Sequence, residues 1–276
     1  MKKKFLLSLV ILLALFTILG LNPFLQVTNY TYQSSEIPAA FDNFKICHIS
    51  DLHCKSFGKD NKTLLNKIRE MAPDIVVFTG DIVDESHTDL SSVEALLAGL
   101  QQMDIPGYYI TGNHELEPGA SEQYNTLLSY FTEYGVTHLD DNSILLKKGN
   151  DSISITGCKW YSKYLVNFLE PTIPEGFNIL LYHGADFYDL VSDYNYDLVL
   201  TGHIHGGLIR IPLLDVGVFS NTGTLFPKYT AGIYQNTFGT STMIVSRGLG
   251  DAVLPRFYNR PELVCITLKT AGESLR

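Results

Sequence analysis

Positive charge is scarce in this sequence. The 276 residues include 20 Lys and Arg against 29 Asp and Glu, for a formal net charge of -9. Lys2, Lys3 and Lys4 all precede the first acidic residue, Glu36, so the remainder of the chain is more acidic still. Proteins that bind nucleic acid do so largely through basic surface. We therefore expect no nucleic-acid partner, and any phosphate that the chain binds needs a local positive centre.

Cysteine is also scarce, and internal repeats and low-complexity stretches are missing. Four Cys are too few for a disulfide scaffold, and we expect free, buried thiols. Hydrophobic residues make up 45% and charged residues 18% of the chain, which is ordinary globular usage. This composition excludes a disordered chain and a protein that crosses the membrane many times. The length beyond the N-terminal segment favours one large domain.

The N-terminal segment has the pattern of a membrane anchor. Lys2–Lys4 precede an uncharged apolar run over 5–21, which as a helix spans about 26 Å, close to a bilayer core. The Lys cluster predicts a cytoplasmic N-terminus, with residues 1–25 anchored in the plasma membrane and the rest extracytoplasmic. A cleaved signal peptide is the alternative, although its apolar region is usually about 7–15 residues and ends at a small-x-small site. We expect 26–43 to be a polar tether and 44–276 to be the folded domain.

The rest of the chain alternates between strand and helix patterns. Short apolar runs bounded by turn residues predict strands, and apolar residues at helical spacing predict helices. The helices are predicted over 59–71, 90–103 and 121–134. The strands are predicted over 44–50, 74–79, 107–111, 143–148, 152–157, 177–182, 197–201, 243–246 and 263–268. This order predicts an α/β fold in which helices cover sheets.

Polar clusters follow five of these predicted strands. They are Asp51-Leu52-His53, Gly80-Asp81, Gly112-Asn113-His114-Glu115, His183, and Gly202-His203-Ile204-His205. Binding sites in open α/β sheets form beyond the carboxyl ends of the strands. We therefore expect the carboxylates, the amide and the imidazoles of these clusters to meet at one edge.

Such a mixture of oxygen and imidazole ligands suits Mn, Fe or Zn. A carboxylate can bridge two ions, and we nominate Asp81 for that position. Two divalent cations would outweigh the charges of Asp51 and Asp81, which leaves a positive pocket for phosphate. Two metals about 3.5–4 Å apart can share a hydroxide and act on phosphorus by in-line displacement.

In their order, these blocks resemble the calcineurin-like binuclear metallophosphoesterases. The pattern is D-x-H at Asp51, G-D-x-x-D at Gly80, G-N-H-E at Gly112, a single His183, and G-H-x-H at Gly202, and the likeness runs from about Phe44 to Leu268. Gly206-Gly207 and the stretch 246–250 are similar to the exported or membrane-anchored bacterial branch. The resemblance implies a four-layer α/β/β/α sandwich and a hydrolase that acts on phosphodiesters or phosphomonoesters.

The resemblance also implies roles for individual residues. One metal would be held by Asp51, His53, Asp81 and His205, and the other by Asp81, Asn113, His183 and His203. His114 would face the phosphate and protonate the leaving oxygen or stabilise its charge, and Asp84 would hold the other ring nitrogen of His114. The cofactors would be two divalent ions, with manganese among the candidates, and we expect a monomer.

Two departures from the family pattern concern the substrate. Glu85 stands where the protein phosphatases of the superfamily carry Arg, which argues against a phosphoprotein substrate, and Leu208 stands where the bacterial branch often has Gln. A lipid- or nucleotide-linked substrate, such as a UDP-2,3-diacylglucosamine-type pyrophosphate, stays open as an alternative. A non-catalytic binding scaffold of the same fold is the second alternative.

Overall fold

The alternation of strands and helices that the sequence predicts builds two six-stranded sheets. A computed structural model describes residues 2–160, 176–194, 196–251 and 255–271. Its α-helices are α1 (Lys2–Gly20), α2 (Lys62–Met71), α3 (Ser91–Gln102), α4 (Ser121–Tyr134) and α5 (Tyr188–Val191). Its strands are β1 (Gln26–Ser34), β2 (Lys45–Ile49), β3 (Ile75–Phe78), β4 (Gly107–Tyr109), β5 (Val136–His138), β6 (Asn142–Lys148), β7 (Asp151–Cys158), β8 (Asn178–Gly184), β9 (Leu198–Gly202), β10 (Ile209–Ile211), β11 (Val216–Phe219), β12 (Gly232–Gln235), β13 (Thr242–Val245) and β14 (Glu262–Thr270).

The two sheets are mixed, and their central strands are parallel. The first sheet has the order β1-β14-β2-β3-β4-β5, and the second has the order β12-β13-β9-β8-β7-β6. Strands β2, β3, β4 and β5 run parallel, as do β7, β8, β9 and β13, while β14 is antiparallel to β2. The carboxyl ends of the parallel strands therefore lie at a common edge within each sheet. The polar clusters come directly after these strand ends.

Three hydrophobic layers hold the sheets and helices together, as expected for the α/β/β/α arrangement. Side chains of both sheets meet in the middle layer, for example Ile46 and Val77 against Ile179 and Leu200. The outer face of the first sheet packs against α2, α3 and α4, and the outer face of the second sheet packs against α5. The central strands are buried on both faces, which explains why their sequences are continuous apolar runs.

The three predicted helices end within one residue of their expected positions, but α2 begins at Lys62, after the 3-10 turn Lys59–Asn61, and the short α5 was not predicted. Helix α2 buries Leu64, Ile68 and Met71, which lie on one face because they are three or four residues apart. Helix α4 ends at Gly135, whose φ of 75° allows the left-handed conformation that closes many helices. This packing places α2, α3 and α4 on the outer face of the first sheet and leaves its carboxyl edge free for the site.

The prediction of a tether over 26–43 is wrong for most of that segment. Residues Gln26–Ser34 form β1, which pairs in parallel with all nine residues of β14, and Ala39–Phe41 form a short 3-10 helix. β1 is an edge strand, so its polar residues can face solvent while Val27, Tyr30 and Tyr32 pack against the core. The strand was not predicted because its polar and apolar residues are mixed, whereas a buried central strand has a continuous apolar run.

The short strands β5, β10, β11 and β12 were not predicted, and each has only three or four residues. The four Cys are free and buried, as expected. Among the described residues, α1 is the one helix long and apolar enough to cross a membrane, with a mean hydropathy of 2.1 over its best window.

Candidate metal centre

All nine side chains singled out from the sequence converge beyond the carboxyl ends of five strands. Asp51 and His53 follow β2, Asp81 and Asp84 follow β3, and Asn113 and His114 follow β4; His183 lies near the end of β8, and His203 and His205 follow β9. Five of the nine have positive φ: Asp51, His53, Asp81, His203 and His205. Positive φ is uncommon for residues other than Gly, and strained backbone of this kind concentrates at functional sites.

Glycines in the motifs make room for the carboxylates. A Cβ on Gly112 would overlap both the side chain and the backbone nitrogen of Asp81, and a Cβ on Gly202 would overlap Ser50 Oγ and Asp51 Oδ2. The backbone of these loops therefore packs directly against the acidic groups. This close approach is the physical reason for glycine before Asn113 and before His203.

The converging side chains form three overlapping groups of potential metal ligands, and in each group the ligand atoms lie within 4.8 Å of one another. Asp51, His53 and His205 are the first group, Asp81, His183 and His203 are the second, and His53, Asp81 and His114 are the third, which links the other two. In the first group, His205 Nε2 lies 3.4 Å from Asp51 Oδ1 and 3.3 Å from His53 Nε2. In the second group, His183 Nε2 lies 2.9 Å from Asp81 Oδ2 and 3.2 Å from His203 Nδ1.

Asp81 lies between the groups. Its Oδ1 accepts a hydrogen bond from the backbone of His114 at 2.9 Å, which leaves Oδ2 to face the imidazoles. Oδ2 is buried without a hydrogen-bond partner of suitable geometry, although the Nε2 atoms of His53 and His114 each lie 4.0 Å from it and that of His183 lies at 2.9 Å. Asn113 Oδ1 is likewise buried and without a partner.

These two buried oxygens, Asp81 Oδ2 and Asn113 Oδ1, fit divalent cations. A buried oxygen without a hydrogen bond is costly, and facing imidazole nitrogens need a proton or a metal between them. A donor set of imidazole nitrogens, carboxylates and one amide oxygen suits Mn, Fe or Zn. The residues that the sequence singled out therefore have the chemistry and the proximity that a metal pair requires.

Burial and the local charges favour the metal-binding protonation state at His203, His205 and Asp81, and they disfavour it at His183. Burial lowers the pKa of His203 to about 3 and places the pKa of His205 well below its usual value, so both rings are neutral. Burial raises the pKa of Asp81, but His183 and His53 lower it more, and the carboxyl group is ionised. Burial also disfavours protonation of His183, but Asp81 raises its pKa to about 10. Metal binding at His183 therefore has to displace a proton.

The structure corrects the predicted partner of Asp84. Asp84 Oδ2 lies 3.2 Å from His53 Nδ1, and its Oδ1 lies 2.8 Å from His87 Nδ1, so Asp84 holds His53 and not His114. The reason is a backbone connection between two loops. His53 N donates to Asp81 O at 3.1 Å, and Cys54 N donates to Ile82 O at 3.0 Å, which brings the chain after β3 alongside His53. A carboxylate on Nδ1 orients the ring so that Nε2 faces the centre.

His114 has a different acidic neighbour from the one predicted. Its Nδ1 lies 3.1 Å from the carboxylate of Glu117, three residues further along the same short helical turn. The ring is 30% exposed, whereas the predicted metal-binding imidazoles are 6% exposed or less. His114 is thus the one imidazole of the predicted set that remains open to a molecule entering from solvent.

Three further residues support the site and were not assigned a role from the sequence. Glu115 is fully buried, and its carboxylate accepts hydrogen bonds from the backbone of Asp81, Ile82, Val83 and Gly112. Glu115 is the last residue of the G-N-H-E block, and its place in that block is the one sequence signal that could have identified it. Arg256 and Trp160 carried no local signal, because the chain brings them to the site from outside the motifs.

Arg256 and Trp160 contact the histidines that follow β9. Arg256 is buried, donates to the carbonyl oxygens of Gly250 and Arg247, and places Nη2 3.2 Å from His205 Nδ1. Burial lowers the pKa of Arg256 to about 10. The indole of Trp160 packs against the ring of His203, with 4.7 Å between their centroids. These contacts restrict both imidazoles to one orientation.

A cavity of about 520 Å³ opens over the centre. Acidic side chains are prominent in its rim, including Glu85, Glu117 and Asp251. No Lys or Arg belongs to the part of the lining that the structure describes, which consists of His53, Asp84, Glu85, Ser86, His87, Asn113, His114, Glu117, His203, His205, Asn221, Thr222 and Asp251. A phosphate entering here meets no protein cation within that lining, so metal ions have to provide the positive charge.

Comparison with known proteins identifies relatives of the whole domain. The family model of the calcineurin-like phosphoesterases matches residues 44–207. The metallophosphoesterase YkuE of Bacillus subtilis is 33% identical over 259 residues, which cover 90% of this chain and 87% of YkuE. The phosphodiesterase YaeI of Escherichia coli is 26% identical, covering 82% of each chain. The UDP-2,3-diacylglucosamine pyrophosphatase LpxG of Chlamydia muridarum is 24% identical, covering 88% of each chain.

The family match includes all nine residues placed at the centre, from Asp51 to His205. Its extent, together with the near full-length likeness to YkuE, settles the class of the enzyme. The chain therefore belongs to the calcineurin-like phosphoesterase family and is a metallophosphoesterase, a hydrolase of ester bonds.

Proposed function

We propose that the protein hydrolyses phosphodiesters or phosphomonoesters at a centre of two divalent cations. Asp51, His53, Asp81 and His205 would hold one ion, and Asp81, Asn113, His183 and His203 would hold the other. The observation that carries the proposal is the position of Asp81 Oδ2, which is buried among the imidazoles of His53, His114 and His183 without a hydrogen bond of suitable geometry. A bridging carboxylate oxygen belongs at such a position.

A pair of divalent cations, when bound, supplies a water-derived nucleophile at neutral pH and polarises the phosphoryl oxygens. The protein then has to orient the ester and provide a proton for the leaving oxygen. His114 is suited to that task because its ring borders both the cavity and Asp81. Glu117 holds Nδ1 and thereby directs Nε2 toward the centre. General acid catalysis of this kind contributes about 10²–10⁴-fold.

The charge of the site favours a phosphate group despite the acidic surface. Two divalent ions carry more positive charge than the two carboxylates among the proposed ligands, Asp51 and Asp81, can offset. The acidic rim works in the other direction, because Glu85, Glu117 and Asp251 repel a highly charged anion. A phosphodiester carries one negative charge fewer than a fully ionised monoester, so we favour diesters, the class that YaeI is named for.

The proposal is tested with purified full-length protein in detergent. Hydrolysis of an aryl phosphodiester and of an aryl phosphomonoester is measured with Mn²⁺, and metal content is measured on the same samples. We expect turnover that EDTA abolishes, and a loss of about 10²–10⁴-fold in kcat for His114→Ala with metal retained. His138→Ala is the matched control, since His138 lies on β5 away from the cavity.

Two results would count against this function. Metal-replete protein without turnover on any ester would identify a binding scaffold of the same fold. A His114→Ala variant as active as the parent would remove the proposed acid, even if the metal centre exists.

A lipid-linked nucleotide pyrophosphate is the second candidate substrate. Its support is the likeness to LpxG over 88% of the chain together with the apolar helix α1, which would keep the domain close to lipid. The test compares a UDP-linked diacylglucosamine with the aryl diester under the same conditions. A kcat/KM at least tenfold higher for the UDP-lipid supports this substrate, and equal or lower values reject it.

We also propose that α1 anchors the protein in the plasma membrane with the domain outside. Helix α1 has 19 residues, and its apolar side chains are exposed along nearly its whole length. Lys2–Lys4 at its start favour a cytoplasmic N-terminus. Mass spectrometry of protein purified from membranes tests the anchor, because a cleaved signal peptide would remove the first 20 or so residues. Protease accessibility of intact cells tests the orientation of the domain.

A further inference from the structure

Exposed apolar side chains are concentrated in one short segment of the domain. Among the described residues beyond Phe24, eleven large hydrophobic side chains are exposed, and six of them lie within 209–226. The six are Ile209, Leu213, Leu214, Val216, Leu225 and Phe226. Single exposed apolar residues need no explanation, but a cluster of them indicates a surface that binds something apolar. We call residues 209–226 the apolar hairpin.

The apolar hairpin holds these side chains out in a defined way. Strands β10 and β11 pair in antiparallel register, and Leu213 and Leu214 lie at the tip, where they are 104% and 68% exposed. Phe226 N donates to Val218 O at 2.8 Å, so Leu225 and Phe226 run back beside β11. Leu213 has a φ of 74°, a conformation that favours Gly or Asn, and yet an apolar residue stands there.

The apolar hairpin presents no unpaired charge. Arg210 and Asp215 are its only charged residues. They bind one another at 2.7 Å, and Arg210 also donates to Gly206 O and Thr230 Oγ1. Lipid suits a surface of this composition better than an acidic or basic peptide does, because a charged peptide would find no complementary charge.

The hairpin lies beside the point where α1 joins the domain. Phe257 and Tyr258 contact the last turns of α1: their rings lie 5.6 and 4.9 Å from that of Phe16, and Tyr258 N donates to Gly20 O at 2.7 Å. Phe257 also pairs with Ile209 at the start of β10. Leu213 is four positions after Ile209, at most about 14 Å of extended chain. A bilayer that contains α1 therefore has its surface close to the hairpin tip.

We propose that Leu213, Leu214, Leu225 and Phe226 insert into the leaflet that receives the C-terminal end of α1. This second contact with the bilayer orients the domain on the membrane. Asn221 and Thr222 belong to the same hairpin and line the cavity over the metal centre, so insertion places that cavity next to the lipid headgroups. The inference rests on the proposed anchoring by α1, and it favours a membrane-borne phosphoester as the substrate of the proposed hydrolase.

Depth-dependent fluorescence quenching tests the insertion directly. The full chain carrying Leu214→Trp is reconstituted into phosphatidylcholine vesicles with and without bromine on the acyl chains. Native Trp160 gives the same background in every variant, because it is the only other Trp. Leu145→Trp is the matched control: Leu145 is 55% exposed on β6, at the opposite edge of the second sheet from β12. Leu12→Trp within α1 is the reference for a position inside the bilayer.

We expect brominated lipid to quench Leu214→Trp at least half as strongly as Leu12→Trp, and to leave Leu145→Trp at the background of the parent. Quenching of Leu12→Trp without quenching of Leu214→Trp would overturn the insertion and would favour a protein partner for the hairpin. If neither is quenched, α1 is not in the bilayer, and both the anchor and the insertion are wrong. The measurement needs no turnover, so it stays informative if the proposed hydrolase activity fails.

Discussion

Glu115 is predicted to stabilise the loop that carries Asp81, and replacing it with Gln tests this role. Its Oε1 accepts from Ile82 N and Val83 N at 2.6 and 3.3 Å, and its Oε2 accepts from Asp81 N and Gly112 N at 2.9 Å each. In Gln one of these oxygens becomes an NH₂ group. Whichever way the amide points, two buried N–H groups then face a donor in place of an acceptor.

The cost follows from those two orphaned donors. Each buried N–H that loses its acceptor costs about 1–3 kcal/mol. Burial and the charge of Asp81 raise the pKa of Glu115, so removing the charge also relieves a repulsion and offsets part of that cost. We expect a net loss of about 3 kcal/mol in the free energy of unfolding. The displaced Asp81 should lower kcat/KM at least tenfold under equal metal concentrations.

Urea unfolding of the full chain in detergent, followed by the fluorescence of Trp160, measures the loss. With a slope of about 3 kcal/mol per molar urea for a chain of this size, the midpoint should fall by about 1 M. Glu122→Gln is the control, because Glu122 is exposed in the first turn of α4 and contributes only about 0.3–1 kcal/mol through the helix dipole. A loss below about 1 kcal/mol for Glu115→Gln would refute the argument that its carboxylate holds the two loops together.

Three further predictions concern metal, pH and backbone packing. Removing divalent ions with EDTA should lower the thermal midpoint of unfolding by about 5–10 °C, because a ligand present at about 100 times its Kd adds about 2.7 kcal/mol to the free energy of unfolding. Adding Mn²⁺ should restore the midpoint. A midpoint that EDTA leaves unchanged would contradict a bound metal. Burial lowers the pKa of His48 to about 3, so its neutral ring contributes stability that is complete above pH 6.5 and is lost as the pH falls. Between pH 7 and 5, the free energy of unfolding measured in urea titrations should therefore fall by about 2 kcal/mol less for His48→Gln than for the parent. Equal decreases in both proteins would show that His48 is not involved. Gly112→Ala should abolish activity because the new Cβ overlaps Asp81, whereas Gly149→Ala has open space and should cost about 1–2 kcal/mol of stability with full activity; equal activities would show that the close approach to Asp81 is unimportant.

Much of the centre could be foreseen because its residues follow parallel strands. A short apolar run predicts a buried strand, and the residue after that run lies at the edge of the sheet where the parallel strands end. The sequence alone therefore predicts that Asp51, Asp81, Asn113 and His183 meet at one edge. The structure brings them together in that way, and their roles as metal ligands stay a proposal.

The partners of the individual side chains could not be foreseen. Asp84 holds His53 because the chain after β3 runs alongside residues 53–54, a backbone contact that leaves no trace in either segment. Glu117 takes the place beside His114 because the 3-10 turn brings residues three apart together. Glu115 and Arg256 contribute through burial, which depends on everything packed around them.

The order of polar residues along the chain specified the family, the type of ligand and the strand ends that present them, because these depend on local chain direction and side-chain chemistry. Long-range packing alone specified that β1 joins the first sheet, that Asp84 serves His53 and that the apolar hairpin lies beside α1. Contacts between residues about 30 to 240 positions apart depend on how whole sheets pack, so a local sequence pattern cannot predict them.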